Sequence, residues 1–228
     1  MQRPVAAFDI DGTLFRSSLA IELIEALIKK GVFPHTARAH YARAHARWLD
    51  REGDYDAYVH AVIEAIRAHL KGVPYEAVAD TAGEVIEAKK GRVYRYTRDL
   101  IRTLKRKGYY LLAISHSPKL IVDGFAYEHG FDKAYGLLYE TGASGRFTGD
   151  VLDRDLIMNK AAILKRAVEK EGLTFKKSFG IGDTESDIGF LELCETKVAM
   201  NPNRKLHTYA KAAGWNIVVE RKDVIYEL

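Results

Sequence analysis

The sequence has a single cysteine, Cys194, so the chain cannot form an internal disulfide bond. Cys194 stands close to Leu191 and Leu193, which is typical of a small buried side chain rather than of a nucleophile. Long apolar runs are also missing. No segment approaches the length of a membrane span, and the N-terminus lacks an apolar stretch with a small-residue cleavage site. We therefore expect a protein of a reducing, cytoplasmic compartment that has no membrane partner.

A large excess of charge of one sign is absent as well. The 228 residues include 35 Lys and Arg against 31 Asp and Glu, a formal net charge of +4. Because no long block of one sign concentrates this charge, it does not indicate a nucleic-acid partner. The hydrophobic content of 47% and the charged content of 29% are ordinary for a globular protein. A chain of this length holds one domain, or a core domain with a smaller one inserted.

Residues 16–91 show helical periodicity with little strand character. Apolar residues recur at a spacing of three and four in four segments. The first segment ends at Gly31, and the second and fourth begin at Pro34 and Pro74. The pattern predicts four amphipathic helices that can pack as a small bundle.

From residue 92 onward, short apolar runs alternate with helical segments. Strands joined by helices form a parallel sheet, so this part of the chain predicts an α/β fold. The predicted strands lie at 5–8, 109–114, 178–182, 197–200 and 216–219. The predicted helices lie near 95–107, 118–129, 154–171, 185–194 and 203–213, and residues 135–149 predict a small antiparallel excursion.

Two carboxylates, Asp9 and Asp11, follow the first apolar run and precede Gly12. Side chains two residues apart on a strand point to the same side, so these carboxylates converge. A cation between them, or a proton on one of them, relieves their repulsion, and both states serve chemistry at a phosphate or carbonyl group. The alternative is an Asp-Gly turn in which both carboxylates cap backbone groups.

Polar residues also follow a later strand, at the sheet edge where ligands bind in open parallel sheets. Ser115 and His116 come after strand 109–114 and before Pro118, which can open a helix. A hydroxyl group and free backbone N–H groups at such a position favour an anion. The alternative role of Ser115 is that of a helix N-cap.

Three more charged residues are candidates for a functional site. Asp183 ends strand 178–182 after two glycines, which allow close approach to its carboxylate. Lys160 lies on an apolar helix face, which is unusual unless its ammonium group has a partner or reaches past the edge of the core. Asp187 belongs to a segment close to a capping box that begins at Thr184, so a structural role and a metal-linked role both stay open.

The order of these motifs resembles that of the haloacid dehalogenase superfamily. Its four motifs correspond to Asp-Ile-Asp-Gly-Thr at 9–13, Ser115, Lys160, and Gly-Asp-Thr-Glu-Ser-Asp at 182–187. The helical insertion after the first motif and the run Ala-Met-Asn-Pro at 199–202 resemble the phosphoserine phosphatase-like subgroup (subfamily IB). This resemblance implies a three-layer Rossmann-like core with a parallel sheet, formed by residues 1–15 and 92–228. It also implies an inserted α-helical cap at 16–91.

The resemblance implies a role for each carboxylate. Asp9 is the expected nucleophile, which forms an aspartyl-phosphate, and Asp11 is the expected general acid and then base. Magnesium is expected to bind Asp9, the backbone carbonyl of Asp11, and Asp183. Asp187 is expected to orient water or the lysine of the third motif.

The resemblance also implies how phosphate is bound and which reactions are open. Ser115, His116 and Lys160 are the expected phosphate-binding residues. The expected activity is magnesium-dependent hydrolysis of a small-molecule phosphate ester by a monomer or homodimer. The alternatives are a phosphotransferase that uses an alcohol acceptor and a non-catalytic phosphate-binding regulator. The presence of Asp11 argues against a non-catalytic regulator. It also argues against dehalogenation, because the dehalogenases of the family lack this second aspartate.

Substrate selection is expected to depend on Arg16, Ser18 and Glu22 after the first motif, and on Arg43 and Arg47 in the cap. Phosphoserine phosphatases usually have a glutamate where Ser18 stands, which puts phosphoserine in doubt as the substrate. The two cap arginines share a predicted face with His40 and Arg51, which would favour an extra anionic group on the substrate if it overhangs the site. The alternative is a solvated basic face. His35, His40 and His45 step by five and do not form a metal site.

Overall fold

The computed structural model describes residues 2–228 and is built on one eight-stranded sheet, in the order β4-β3-β2-β1-β5-β6-β7-β8. The central strands pair in parallel, and the pairs β3–β4 and β7–β8 at the two edges are antiparallel. The strands are β1 (Pro4–Asp9), β2 (Tyr110–Pro118), β3 (Lys133–Thr141), β4 (Phe147–Leu152), β5 (Thr174–Gly182), β6 (Thr196–Met200), β7 (Asn216–Arg221) and β8 (Val224–Glu227).

Ten α-helices connect and cover these strands in the described part of the chain. No helix between residues 2 and 228 has the length and apolar composition that crossing a bilayer requires. The helices are α1 (Leu19–Lys29), α2 (Ala42–Leu49), α3 (Tyr55–Leu70), α4 (Tyr75–Lys89), α5 (Arg95–Arg106), α6 (Lys119–Glu128), α7 (Arg154–Ile157), α8 (Lys160–Lys170), α9 (Ile188–Leu191) and α10 (Arg204–Ala212).

The first strand lies at the centre of the sheet. Its residues Val5 to Phe8 are fully buried, as expected for a parallel strand covered on both faces. Asp9 pairs with Ile114 of β2, and Phe8 pairs with Ile181 of β5. Since the three strands are parallel and in this register, their carboxyl ends lie side by side at one edge of the sheet.

The helices α1 to α4 lie between β1 and β2 in the chain, where the inserted helices are predicted. α1 packs against α3, α4 and β2 through a fully buried face that includes Leu23 and Leu27. The division into a core and a cap stays a prediction. The second predicted helix is wrong in detail, because a 3₁₀ helix (His35–His40) precedes α2 and Arg51 follows it in a left-handed conformation (φ 61°). The predicted basic face of that helix is therefore divided among three segments.

The predicted helix at 154–171 is also interrupted. α7 ends at Ile157, and the side chain of Asn159 accepts a hydrogen bond from the backbone N–H of Ala162 at 3.0 Å. Asn159 is thus the N-cap of a new helix, because its side chain satisfies a backbone donor that no helical carbonyl can reach. Lys160 consequently stands in the first turn of α8 instead of in the middle of a long helix.

The two edges of the sheet contain antiparallel strands. The predicted excursion at 135–149 corresponds to β3 and β4, and β3 also continues the parallel sheet beside β2. The last strand, β8, was not predicted. It follows a tight turn at Lys222 (φ 53°) and pairs with β7.

The N-cap of α10 provides a test of the local structure. The Asn203 side chain accepts a hydrogen bond from the backbone N–H of Leu206 at 2.9 Å. We expect Asn203→Ala to lower the free energy of unfolding by at least about 1 kcal/mol, as measured by urea denaturation, because it removes this cap and the hydrogen bond that Asn203 Nδ2 donates to Glu185. The exposed Asn216 at the start of β7 is the control, and Asn216→Ala should change stability by less than about 0.5 kcal/mol. Equal losses in the two variants would contradict the capping role.

Candidate active site

Asp9 ends the central strand and is almost completely buried, with 4% of its surface exposed. Its Oδ1 accepts a hydrogen bond from Lys160 Nζ at 2.7 Å. Its Oδ2 is buried and has no hydrogen-bond partner among the described residues. Burial, together with the negative charges of Asp187 and Asp11, outweighs Lys160 and raises the pKa of Asp9 to about 7. This carboxylate therefore has one oxygen available to a further ligand.

Lys160 links two carboxylates across the sheet edge. Its Nζ donates to Asp9 at 2.7 Å and to Asp187 Oδ1 at 2.6 Å, and its side chain is 4% exposed. Burial by itself lowers the pKa of Lys160, but Asp187 and Asp9 outweigh burial and raise it. The ammonium group is therefore charged and does not extend to solvent, so the alternative in which it reaches past the core edge is wrong.

Asp183 follows β5 and packs directly against the turn after β1. A Cβ atom added to Gly12 would lie 2.0 Å from Asp183 Oδ2, so only glycine fits at this position (φ 89°). Thr13 Oγ1 donates to Asp183 Oδ1 at 3.3 Å. Burial and then the charge of Asp9 raise the pKa of Asp183 well above its usual range. The two carboxylates therefore repel each other, and a cation would relieve this repulsion.

Asp187 has the structural role that its sequence pattern left open, and the metal-linked role stays a prediction. Its Oδ2 accepts the backbone N–H groups of Asp183 at 2.9 Å and Thr184 at 3.1 Å, which completes a capping box. Its Oδ1 accepts from Lys160. Asp187 thus holds both the loop that carries Asp183 and the ammonium group beside Asp9.

The acidic cluster fits a divalent cation. Oxygen atoms of Asp9, Asp183 and Asp187 lie within 4.8 Å of one another. Carboxylate oxygens are the ligands that Mg²⁺ prefers, and the unpartnered Oδ2 of Asp9 is available for it. Since both oxygens of Asp187 already accept hydrogen bonds, Asp9 and Asp183 are the better side-chain ligands.

The side chain of Asp11 points to a different set of groups. Its Oδ2 accepts from the hydroxyl groups of Ser115 and, at 2.9 Å, Ser117, and its Oδ1 accepts the backbone N–H of Leu19 in the first turn of α1. Burial raises the pKa of Asp11 although these hydrogen bonds oppose it. Ser115 therefore contacts Asp11 and does not point freely to an anion. Ser117 follows the same predicted strand, but its contact with Asp11 was not predicted.

His116 lies outside this cluster. It follows Ser115 on β2, so its side chain points to the other face of the strand. There it lines a separate cavity with His60, Tyr139 and Met158. Burial, with a further effect of Lys160, lowers the pKa of His116 to about 4, so the ring is neutral. This position does not support the predicted contact between His116 and phosphate.

The five predicted specificity residues are placed differently from one another. Ser18 is fully buried and Glu22 forms ion pairs with Arg92 at 3.1 Å and Lys89 at 3.5 Å, so neither is free to bind a ligand. Arg43 and Arg47 are exposed and lie outside the pocket above Asp183, whereas Arg16 lines it.

A pocket of about 700 Å³ opens above Gly12 and Asp183. Its aromatic lining comes from Trp48, Tyr55 and Tyr94, and the ring centroids of Trp48 and Tyr55 lie 5.2 Å apart. Burial and then the charges of Asp11 and Asp183 raise the pKa of Tyr55, so its hydroxyl group is protonated. These aromatic residues were not predicted, because no local pattern marks residues that meet only after folding.

Comparisons with known proteins agree with this geometry. The family model of haloacid dehalogenase-like hydrolases matches residues 6–192. A phosphoserine phosphatase of Mycobacterium tuberculosis is 28% identical and is aligned over 93% of this chain and 69% of its own length. A histidinol-phosphatase of Neisseria meningitidis is 25% identical, with 94% and 97% covered.

A solved structure titled as a phospho-aspartyl intermediate analogue of phosphoserine phosphatase has the same fold, with a TM-score of 0.63 at 21% identity. The match covers 98% of this chain and 96% of the other. The predicted α/β fold and the predicted superfamily are therefore confirmed. The family model matches more than three quarters of this chain. The chain therefore belongs to the haloacid dehalogenase-like hydrolase family.

Proposed function

We propose that the protein is a magnesium-dependent phosphatase that hydrolyses a small-molecule phosphate ester through an aspartyl-phosphate on Asp9. The observation that carries this proposal is the acidic cluster at Asp9, in which Asp9, Asp183 and Asp187 offer oxygen atoms within 4.8 Å of one another. Oδ2 of Asp9 has no partner there, while Lys160 holds the other oxygen. The names of two relatives, a phosphoserine phosphatase and a histidinol-phosphatase, support a phosphate ester of a small molecule as the substrate.

In the proposed reaction, a carboxylate oxygen of Asp9 attacks phosphorus while the bond from phosphorus to the ester oxygen breaks. Asp11 donates its proton to the leaving alkoxide and then takes a proton from the water that attacks the aspartyl-phosphate. The bond between Asp9 and phosphorus breaks, and inorganic phosphate leaves. A bound Mg²⁺ would supply neutralisation of the phosphoryl oxygens and of the two carboxylates that hold it.

Two further contacts support these roles. Lys160 offsets the charge of Asp9 and, because Asp187 anchors it, stays beside the nucleophile. Burial raises the pKa of Asp11, which favours a protonated carboxyl group that can act as an acid, while Ser115 and Ser117 position it.

The first prediction concerns the nucleophile. The protein should hydrolyse nitrophenyl phosphate in the presence of magnesium, and a chelator should abolish the reaction. Asp9→Asn removes the nucleophile and should lower kcat by about a thousandfold or more. The exposed Asp150 provides the control, since Asp150→Asn should keep wild-type turnover. A wild type with no turnover under these conditions would refute the phosphatase proposal.

The second prediction concerns the general acid. Asp11→Asn should lower kcat/KM for an alkyl ester such as glycerol phosphate by a factor of roughly 100 to 10,000. The loss for nitrophenyl phosphate should be smaller, because nitrophenolate leaves without a proton. Equal losses for the two esters would argue against proton donation by Asp11. Magnesium binding, measured by calorimetry, should be retained in this variant.

The third prediction concerns the cation and is measured by thermal unfolding, which does not require enzyme activity. At about 100 times its dissociation constant, Mg²⁺ should stabilise the protein by about 2.7 kcal/mol, which corresponds to a rise in Tm of roughly 5–10 °C. Asp183→Asn should remove most of this rise, since it removes the negative charge that attracts the cation and leaves only a neutral amide oxygen as a ligand. Asp150→Asn should retain it. A full rise in Asp183→Asn would exclude Asp183 as a ligand.

A further inference from the structure

Four cationic side chains surround the opening of the pocket above Asp183. Arg16 comes from the segment after the first motif, Arg51 follows α2, and Arg221 and Lys222 come from the turn between β7 and β8. All four are exposed, and none of them forms an ion pair with any residue between 2 and 228. Three separate segments thus place unpaired positive charge at one opening.

The two acidic residues of the same lining, Asp183 and Glu220, are fewer than the four cations and offset only part of this charge. Both carboxylate oxygens of Glu220 accept hydrogen bonds from the start of α5, from the backbone N–H of Arg95 at 3.0 Å and of Tyr96 at 2.9 Å. Asp183 belongs to the cluster below, where it fits a cation. The outer part of the pocket is therefore electropositive, and an anion is the favoured occupant.

Neither acidic residue that lines the pocket is free to hold an ammonium group, because Asp183 belongs to the acidic cluster and α5 engages both oxygens of Glu220. Ser18 is fully buried, and Glu22 is engaged by Arg92 and Lys89. A substrate with an amine near its phosphate would therefore lose water around that amine without gaining a carboxylate partner.

The pocket has room for more than a phosphate group. Its volume of about 700 Å³ falls in the range of about 300–1,000 Å³ that is typical of small-molecule sites. The aromatic rings of Trp48, Tyr55 and Tyr94 line it together with Asp183. Aromatic rings alone would also suit a quaternary ammonium group, but the four cations oppose one.

We propose that the substrate is a phosphate ester whose leaving group carries a second anionic group and no ammonium group, and that Arg16 and Arg51 bind this second anion. The inference rests on the proposed phosphatase function and specifies its substrate class. A carboxylate and a second phosphate have the same chemistry toward arginine, since both accept paired hydrogen bonds from the guanidinium group.

Four small phosphate esters differ in whether they carry a carboxylate group or an ammonium group in addition to the phosphate. Phosphoglycerate carries a carboxylate alone, phosphoserine carries both a carboxylate and an ammonium group, phosphoethanolamine carries an ammonium group alone, and glycerol phosphate carries neither. We expect kcat/KM for phosphoglycerate to exceed that for glycerol phosphate by about 10- to 100-fold, the worth of a hydrogen bond to a charged group. Phosphoserine should fall below phosphoglycerate, and phosphoethanolamine and phosphocholine should be the poorest.

A second pair of esters shows whether the second anionic group is a phosphate or a carboxylate. Fructose bisphosphate and fructose monophosphate differ by one phosphate, so a preference larger here than in the phosphoglycerate pair would indicate a phosphate as the second group. A larger preference in the phosphoglycerate pair would indicate a carboxylate.

The arginine variants test the assignment of residues. Arg16→Gln and Arg51→Gln should each lower the preference for the dianionic ester by about tenfold, because each removes a charged donor. Arg43→Gln is the matched control, since Arg43 is an exposed arginine of α2 outside the pocket, and it should leave the preference unchanged. These side chains are exposed, so the fold should tolerate all three substitutions.

The outcomes separate this inference from the proposed function. If the wild type hydrolyses nitrophenyl phosphate but shows no preference for the second anion, or prefers phosphocholine, the substrate class is wrong and the phosphatase proposal stands. If the preference exists but Arg43→Gln reduces it as much as the other two variants, the assignment to Arg16 and Arg51 is wrong. If no ester is hydrolysed, the phosphatase proposal itself fails.

Discussion

The buried ammonium group of Lys160 is the interaction on which the rest of the site depends. It lies between Asp9 and Asp187 at 2.7 and 2.6 Å, where none of the three side chains is more than 5% exposed. A buried ion pair gains little net stability, but the loss of one partner leaves an uncompensated buried charge. The contact therefore joins β1, the start of α8 and the loop after β5 in one arrangement, and that arrangement leaves one oxygen of Asp9 without a partner.

In the proposed phosphatase, the groups that react and the groups that select the substrate lie in different parts of this chain. The reacting groups lie at the ends of adjacent parallel strands, where register determines their separation and backbone N–H groups hold the carboxylate of Asp187. Part of the lining of the pocket above them comes from α2, α3 and the turn between β7 and β8. Changes in these outer segments can alter which ester is bound without moving Asp9 or Asp183, because no residue of the acidic cluster comes from them.

Local sequence predicts the groups that follow strands. Asp9 and Asp183 lie where the apolar runs before them end, and the capping pattern at Thr184 and Asp187 is present as predicted. Local sequence was not sufficient where a pattern allowed two arrangements. Asn159 starts a new helix inside an apparently continuous one, and His116 alternates with Ser115 to the opposite face of β2.

The sequence by itself determined the family, the α/β fold and the residue types of the acidic cluster, since hydrophobic periodicity and motif order are local properties of the chain. Only the tertiary structure decided which groups each side chain contacts. Asp11 accepts hydrogen bonds from Ser115 and Ser117, Lys160 pairs with Asp187, and Arg16 and Arg51 line the same pocket. These contacts join residues far apart in the chain, and their distances depend on strand register and helix packing, which no short segment encodes.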